Sequence, residues 1–455
     1  MNKNFLKNIL YHKKEHIKTI KKKFPLKSFK HFIKKTELNF KNSFSKKEIS
    51  FILEIKRSSP SLGVICKNFN IQKIVNCYNK YASSISVVTE EKYFNGKLKY
   101  LKYVRKNTKL PILCKDFFID DYQIYLSRFL GADAILLMLS ILKDVEYIKF
   151  SKIAKSMNLG ILTEVNNENE IERAINLKSE IFGINNRNLK DLSIDIKKTK
   201  KLSKFIPKNN IIISESGILN NKNVNYLKKY VNGFLIGSSI MSKNNIDLSV
   251  KKIIFGNNKI CGITRKKDII YSSDNGAIYI GIIFVKSSNR YVNYKNVEKL
   301  FYYSHIKYVG VFKNENIYKI KYISEKFNLY AIQLHGEENQ EYINILRKIL
   351  NKNINIWKAI GIKNSIPYIN FKNIDYIVLD NTIPGSGKTF NWNLLKNINK
   401  KKIFLSGGIN IKNLKKALNL KCHGLDLNSG LEKKVGIKDK KKIYKLFYTI
   451  KNNII

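Results

Sequence analysis

Hydrophobic residues in this chain gather into short, nearly continuous runs separated by longer amphipathic stretches rich in Lys and Asn. In the first half the runs are 51–57, 84–89, 111–116, 132–138, 160–165, 180–186, 211–216 and 233–239. Runs this short with so little alternation suit strands buried on both faces, and the roughly 15–30 residues between them suit helices, which predicts βα units around a parallel sheet. A polar stretch over 241–258 reads as a helix plus a linker. The rhythm then restarts at 259–264, 277–284, 307–313, 329–335, 355–360, 375–381, 402–408 and 423–429. Eight runs in each half predict an α/β protein of two successive (β/α)8 TIM barrels, with domains 1–256 and 257–455. Residues 1–45 precede the first strand and are expected to form a helical extension capping the first barrel.

The two halves share a signature. Ser214, Glu215, Ser216, Gly217 and Ile218 are followed, sixteen residues after Gly217, by the segment running from Gly233 to Gly237 and Ser238. Ser406, Gly407, Gly408 and Ile409 are followed, sixteen residues after Gly408, by the segment from Gly424 to Asn428 and Ser429. These positions end the seventh and eighth strands, where many barrels bind phosphate through loop amides and a short helix. Glycine fits because backbone N–H groups must approach a phosphate closely. Ordinary strand-ending turns are the plainer alternative.

Barrel chemistry sits at the C-terminal ends of strands. In the first half Glu54 and Lys56 alternate inward on the first strand, Lys115 ends the third and Glu164 the fifth. Asn185 and Arg187 end the sixth, and Glu215 the seventh. An ammonium group that interrupts an apolar strand is costly unless paired, and inward Glu and Lys in one pocket shift each other toward acid–base use. Structural ion pairs closing the barrel would give the same pattern.

Composition adds one unusual quantity to this picture. Over 455 residues, 85 Lys and Arg face 34 Asp and Glu, a formal charge of +51, with a mean hydropathy of −0.27 that excludes global disorder. Such a charge suggests a polyanion binder. Yet only eight of the basic residues are Arg, the better bidentate phosphate ligand. Lys is spread through both halves with no aromatic–basic module, as drift in an AT-rich genome would produce. The charge therefore implies a field that attracts sugar phosphates, with no specific nucleic acid partner. Five scattered cysteines without C-x-x-C spacing argue against a disulfide framework or a zinc site, and no apolar run is long enough to span a bilayer. The N-terminal 23 residues lack the apolar core of a secretory signal. A soluble cytoplasmic protein without metal is expected, with no membrane partner.

Beyond these readings, the segments 51–61, 113–117, 162–165, 183–187, 214–217 and 236–238 resemble, in order, indole-3-glycerol-phosphate synthase. The loop 89–96 adds to the likeness. Residues 259–264, 333–336, 379–381, 385–390, 406–409 and 424–429 are similar to phosphoribosylanthranilate isomerase. Together the halves resemble the fused bacterial enzyme of tryptophan biosynthesis, in its order. The G-S-G-K-T run at 385–389 does not make a nucleotide P-loop, because Thr382 stands where its first Gly belongs.

The resemblance implies roles. In the second barrel Cys261 acts as general base and Asp380 as general acid in an Amadori rearrangement, with Arg290 at the anthranilate end. His335 is either a substrate contact or a satisfied core histidine. Gly387, Gly407, Gly408, Asn428 and Ser429 hold the phosphate. Such catalysis needs a protonated Asp and an ionised Cys, opposite to their ordinary order. In the first barrel Lys115 is the first candidate for the acid and Glu164 is the base; Lys56 holds the substrate carboxylate, and whether it shares the acid role with Lys115 the sequence leaves open. Glu54, Asn185, Arg187 and Glu215 orient groups, while Ser61, Ser216, Gly217, Gly237 and Ser238 lie on the substrate and its phosphate. The substrates are small sugar phosphates, no cofactor is implied, and a monomer is expected. Three positions depart from the family pattern. Leu62 replaces a basic residue, Asn289 a Pro before Arg290, and Pro384 a Gly. A polyanion-binding barrel protein, or a fused enzyme with one inactive barrel, are the competing readings.

Overall fold

A computed structural model describes residues 5–44, 48–188, 191–295, 297–301, 306–383 and 387–452. The chain divides into two compact units between Ile253 and Ile254. Each contains one closed barrel of eight parallel strands in sequential order.

The first barrel runs β1 (Ser50–Ile55), β2 (Ser84–Val88), β3 (Ile112–Lys115), β4 (Ala134–Met138), β5 (Gly160–Val165), β6 (Ile181–Asn185), β7 (Ile211–Glu215) and β8 (Gly233–Ile236). Closure places Ser50 of β1 opposite Gly233 of β8 and Ile52 opposite Ser84 of β2. β1 and β2 are buried along their whole length, which is why their sequences show apolar runs rather than alternation. Helices follow every strand. Several begin at the C-terminal face with an Asn or Asp cap: Asn70, Asp120, Asn167 and Asn220 each accept from a first-turn backbone N–H, a contribution of about 1 kcal/mol apiece.

The N-terminal extension is only partly helical. α1 spans Phe5–Lys23, and single 3-10 turns follow at 26–28, 30–32 and 41–43; residue 45 lies outside the described residues. Ile9, Lys13 and Ile17, four residues apart, form the buried face of α1. Ile17 packs with Phe29, Tyr122 and Leu126, while the Lys13 ammonium pairs with Asp116 at 2.6 Å. The segment after the helix then closes the opposite end of the barrel. Phe40 and Phe44 insert beneath the strands against Ile52, Leu113, Leu162 and Ile213. Thr36 donates to Asp133, which also pairs with Arg105 and Arg128. One extension thus covers both mouths, where the sequence pattern predicts a single cap.

The second barrel runs β9 (Asn257–Ile260), β10 (Tyr279–Ile283), β11 (Lys307–Phe312), β12 (Ala331–Leu334), β13 (Asn355–Ile362), β14 (Tyr376–Asn381), β15 (Ile403–Leu405) and β16 (Gly424–Leu427). The linker expected before it is absent. A helix over Ile246–Phe255 is followed by Gly256, at φ +74°, and β9 starts at once. Among the described residues no α-helix follows β10, β13 or β14. The first and last have 3-10 turns at 298–300 and 392–395, and the connection after β13, 363–375 with Pro367 within it, forms turns and loop only. At the N-terminal end of this barrel Trp357 stacks on Phe404 and meets Tyr279 edge-on, with centroids 4.5 and 5.2 Å apart.

Both tryptophans, 357 and 392, belong to the second unit, so Trp fluorescence follows that unit alone and far-UV circular dichroism follows both. Phe40→Ala removes a fully buried ring and should destabilise the first unit by about 3–5 kcal/mol. The dichroism should then show an early transition while the fluorescence midpoint stays in place.

Candidate active site

A cavity of about 430 Å³ opens at the C-terminal ends of the first barrel's strands. Glu54 is the last inward residue of β1, and Lys56 lies just past the strand's end rather than on it; its ammonium reaches Glu54 Oε1 at 2.6 Å. The Lys115 ammonium at the end of β3 stands 3.5 Å from Glu215 Oε2 and 3.9 Å from Glu164 Oε2. Asn185 donates to Glu164 Oε1 at 3.0 Å and accepts from the Arg187 backbone N–H at 2.9 Å. Strands β1, β3, β5, β6 and β7 thus converge five functional groups on one space. Two glycines make room for them. A methyl on Gly237 would strike the Glu54 carboxylate, and one on Gly183 would strike that of Glu215.

Two of the carboxylates around Lys115, Glu54 and Glu215, are shifted in opposite directions. Burial raises the Glu54 carboxyl, but Lys56 and Lys115 outweigh it and hold it below the ordinary range. Glu215 goes the other way: burial, added to repulsion from Glu164 and Glu54, lifts it above the range against the pull of Lys115. Beyond that ion-pair approach neither of its oxygens finds a hydrogen-bond partner. For Lys115, burial disfavours the charge, yet Glu215, Glu164 and Glu54 raise it further. The site therefore holds a cation flanked by carboxylates of unequal basicity, a set able to donate and accept protons at once.

Ser61, Arg187, Ser216, Gly217, Gly237 and Ser238 line the same cavity. Ser216 and Gly217 have φ of +66° and +78°, which turns the backbone after β7 toward the pocket. Arg187 is also tied to the Leu192 carbonyl at 2.8 Å. Sequence reasoning missed the apolar wall, to which Leu6 and Ile9 of α1, Phe94 and Phe117 contribute. Leu62 lines the pocket too, with 60% exposure. The signal for α1 was present as the four-residue spacing of Ile9, Lys13 and Ile17, obscured by the surrounding lysines.

The second barrel has a cavity of about 350 Å³ at the same end. Cys261 follows β9 and is 6% exposed. Asp380 near the end of β14 accepts from Ser406 Oγ at 2.9 Å and from the Asn381 backbone N–H at 2.7 Å. Burial lifts the Asp380 carboxyl to about 6 despite those bonds. Burial also pushes the Cys261 thiol up, with the Lys259 ammonium opposing, so the ionised form is favoured by Lys259 and disfavoured by its surroundings. His335 is driven down to about 4 by burial and by Lys259; it is neutral near pH 7.

Gly387, Gly407, Gly408, Asn428 and Ser429 line this cavity. The three glycines have φ of +74°, +85° and +60°, and a methyl on Gly408 would strike the Gly387 carbonyl. Pro384, Gly385 and Ser386 lie outside the described residues. Arg290 is engaged before any substrate arrives: it forms a bidentate pair with Glu432, both bonds 2.8 Å. Sequence reasoning gave no role to Glu432, to Lys438, which bonds Asn428 at 2.8 Å and Glu432 at 3.0 Å, or to Lys259, Gln333 and Asp426 inside the barrel. For Lys259 and Asp426 a signal existed, a charge interrupting an apolar strand.

Two barrels of parallel strands, each gathering charged groups and glycine loops at the C-terminal ends of its strands, define a pair of (β/α)8 enzymes joined in one chain. Residues 6–253 match the family described as indole-3-glycerol phosphate synthase, and residues 258–449 that described as N-(5'phosphoribosyl)anthranilate (PRA) isomerase. Curated relatives match end to end. The tryptophan biosynthesis protein TrpCF of Buchnera aphidicola subsp. Diuraphis noxia is 53% identical over 99% of this chain and 100% of its own. That of subsp. Acyrthosiphon pisum is 51% identical over 98% of each, and that of Haemophilus influenzae 42% identical over 98% of this chain and 96% of its own. The chain belongs to this bifunctional family of tryptophan biosynthesis, with the synthase barrel first and the isomerase barrel second.

The Asp380 carboxyl yields a pH test. In the unfolded chain it ionises near 3.8, and in the folded state at about 6. The folded state holds the proton longer, so its stabilising effect is complete below pH ~4 and is lost as pH rises to ~6, a change of roughly 2–3 kcal/mol. Asp380→Asn should flatten that part of the second unit's stability profile, read by urea unfolding with Trp fluorescence at pH 4.5 and 7.

Proposed function

We propose that the second barrel opens N-(5-phosphoribosyl)anthranilate to 1-(2-carboxyphenylamino)-1-deoxyribulose 5-phosphate with Asp380 as acid and Cys261 as base. Asp380 protonates the ring oxygen, the ring C–O bond breaks, and Cys261 removes the C2′ proton. The enol so formed becomes the ketone. Asp380's raised pKa supports its acid role, since a carboxyl at about 6 keeps a useful protonated fraction at neutral pH. The Gly387, Gly407 and Gly408 turns with Asn428 and Ser429 form a cradle suited to the phosphate. Arg290, steered by Glu432, holds the anthranilate carboxylate, and His335 serves as a neutral contact.

The first barrel closes that product to indole-3-glycerol phosphate, releasing CO₂ and water. Lys115 protonates the ketone oxygen as the carboxylate-bearing aromatic carbon attacks. CO₂, held as the carboxylate by Lys56 with Glu54, leaves that carbon and restores the aromatic ring. The hydroxyl so formed then gains a proton and departs as water while Glu164 takes a proton from the neighbouring C1′ carbon. Asn185 fixes Glu164, Glu215 and Arg187 orient the substrate, and Ser61, Ser216, Gly217, Gly237 and Ser238 take the phosphate. The observation that carries this reading is the approach of Lys115 to both Glu164 and Glu215 within one cavity. No helix among the described residues is long and apolar enough to cross a membrane, and free cysteines suit a reducing cytoplasm.

Supplying each barrel's substrate separately tests the assignment. Cys261→Ala should lower isomerase turnover by about 10²–10⁴-fold and leave the synthase near wild type, whereas Lys115→Ala or Glu164→Gln should do the reverse. Isomerase activity that survives loss of the thiol would overturn the assignment of Cys261, and synthase activity retained without Lys115 that of the lysine.

A further inference from the structure

The barrel interior beneath Cys261 holds a charge that the mechanism above leaves unused. Lys259 sits two residues before Cys261, on the same inward side of β9. It is fully buried, which for a lysine demands partners on every side. Its ammonium donates to Gln333 Oε1 on β12 at 2.7 Å and to Asp426 Oδ2 on β16 at 2.8 Å. Gly281 on β10 leaves the space in which it meets the thiol: a methyl there would lie 2.7 Å from Cys261 Sγ and 2.9 Å from Lys259 Cε. Three other strands, β10 and β16 beside β9 and β12 further round the barrel, are therefore shaped around one lysine and the sulfur above it.

We propose that Lys259 is the positioning residue of the isomerase base, an ammonium sealed in the barrel that fixes the Cys261 sulfur and stabilises its thiolate. The inference rests on Cys261 being that base. Other charges around the thiol do not replace it. Arg290 and Lys438 also favour the thiolate, but both are committed to Glu432. Asp426 opposes it, and His335 is neutral near pH 7. Asp426 leaves its Oδ1 buried without a hydrogen-bond partner, and burial raises its carboxyl above the ordinary range. Lys259 thus meets its counter-ion through a single carboxylate oxygen, Asp426 Oδ2, and lies directly beneath the sulfur with the space that Gly281 leaves between them.

The test is the pH dependence of alkylation at Cys261 by iodoacetamide, read by mass spectrometry of its peptide in the full chain. Lys259→Met should move the midpoint up by about one pH unit, slowing alkylation near neutral pH about tenfold, and Asp426→Asn should move it down. The acidic limb of the isomerase kcat/KM profile should follow in the same directions. Trp fluorescence reports that the second unit is folded, and synthase turnover reports the first. If Lys259→Met loses the native fluorescence, Lys259→Gln, which retains a donor for Asp426, replaces it with the same expected shift. Unchanged alkylation midpoints, with or without loss of isomerase activity, would overturn the proposal and leave Lys259 a structural ion pair. Shifted midpoints with an unmoved isomerase limb would instead sustain Lys259's effect on the sulfur and overturn Cys261 as the base.

Discussion

Closing eight parallel strands on themselves sends every second side chain into an interior that water does not reach, and any charge placed there needs a partner within bonding distance. Both halves of this protein depend on that constraint. In the first barrel it gathers Glu54, Lys56, Lys115, Glu164 and Glu215 at the strand ends, where cations and carboxylates hold each other in place. In the second it holds Lys259 between Asp426 and Gln333, and Arg290 with Lys438 against Glu432. The pairs that make the interior tolerable also separate the basicities of neighbouring groups, and acid–base catalysis needs that separation.

The two sites solve this problem differently. The synthase pocket is rich in charge and lies under apolar residues, some from α1, a wall suited to an aromatic ring. Lys13 anchors that helix to Asp116, the residue after Lys115, so the cover and the central cation share an attachment. The isomerase pocket has fewer charges in direct ion pairs with one another. It sets a carboxyl lifted to about 6 opposite a thiol whose ionisation depends on an ammonium below it. Both keep a loop of left-handed residues after the seventh strand, Ser216 and Gly217 in one and Gly407 and Gly408 in the other.

Much of the architecture was legible in the apolar runs, because a strand buried on both faces leaves an uninterrupted hydrophobic segment. The helical rhythm was less so. The connection after β13 was expected to carry a helix and has none among the described residues, and the linker before β9 shrinks to Gly256. For the site, Lys56 and Lys115 stood out by ending apolar strands, and the same logic applied to Lys259, where it went unused. The Arg290–Glu432 pair had no local signature, since its members are 142 positions apart.

The sequence by itself determined the barrels, their order, the strand ends that carry chemistry and the family, because these follow from short-range pattern and local motifs. The charge of +51 it left ambiguous. Beyond Lys56 and Lys115, only the tertiary structure separated the few enclosed lysines from the rest, since a lysine's role depends on what closes around it. Most of the 77 remain on solvated helix faces or among surface ion pairs. Lys13, Lys115 and Lys259 are drawn inside or to the rim by segments distant in the chain, where a low dielectric ties each ammonium closely to the groups around it: a tether in Lys13, the proposed acid in Lys115 and the proposed support of a thiolate in Lys259.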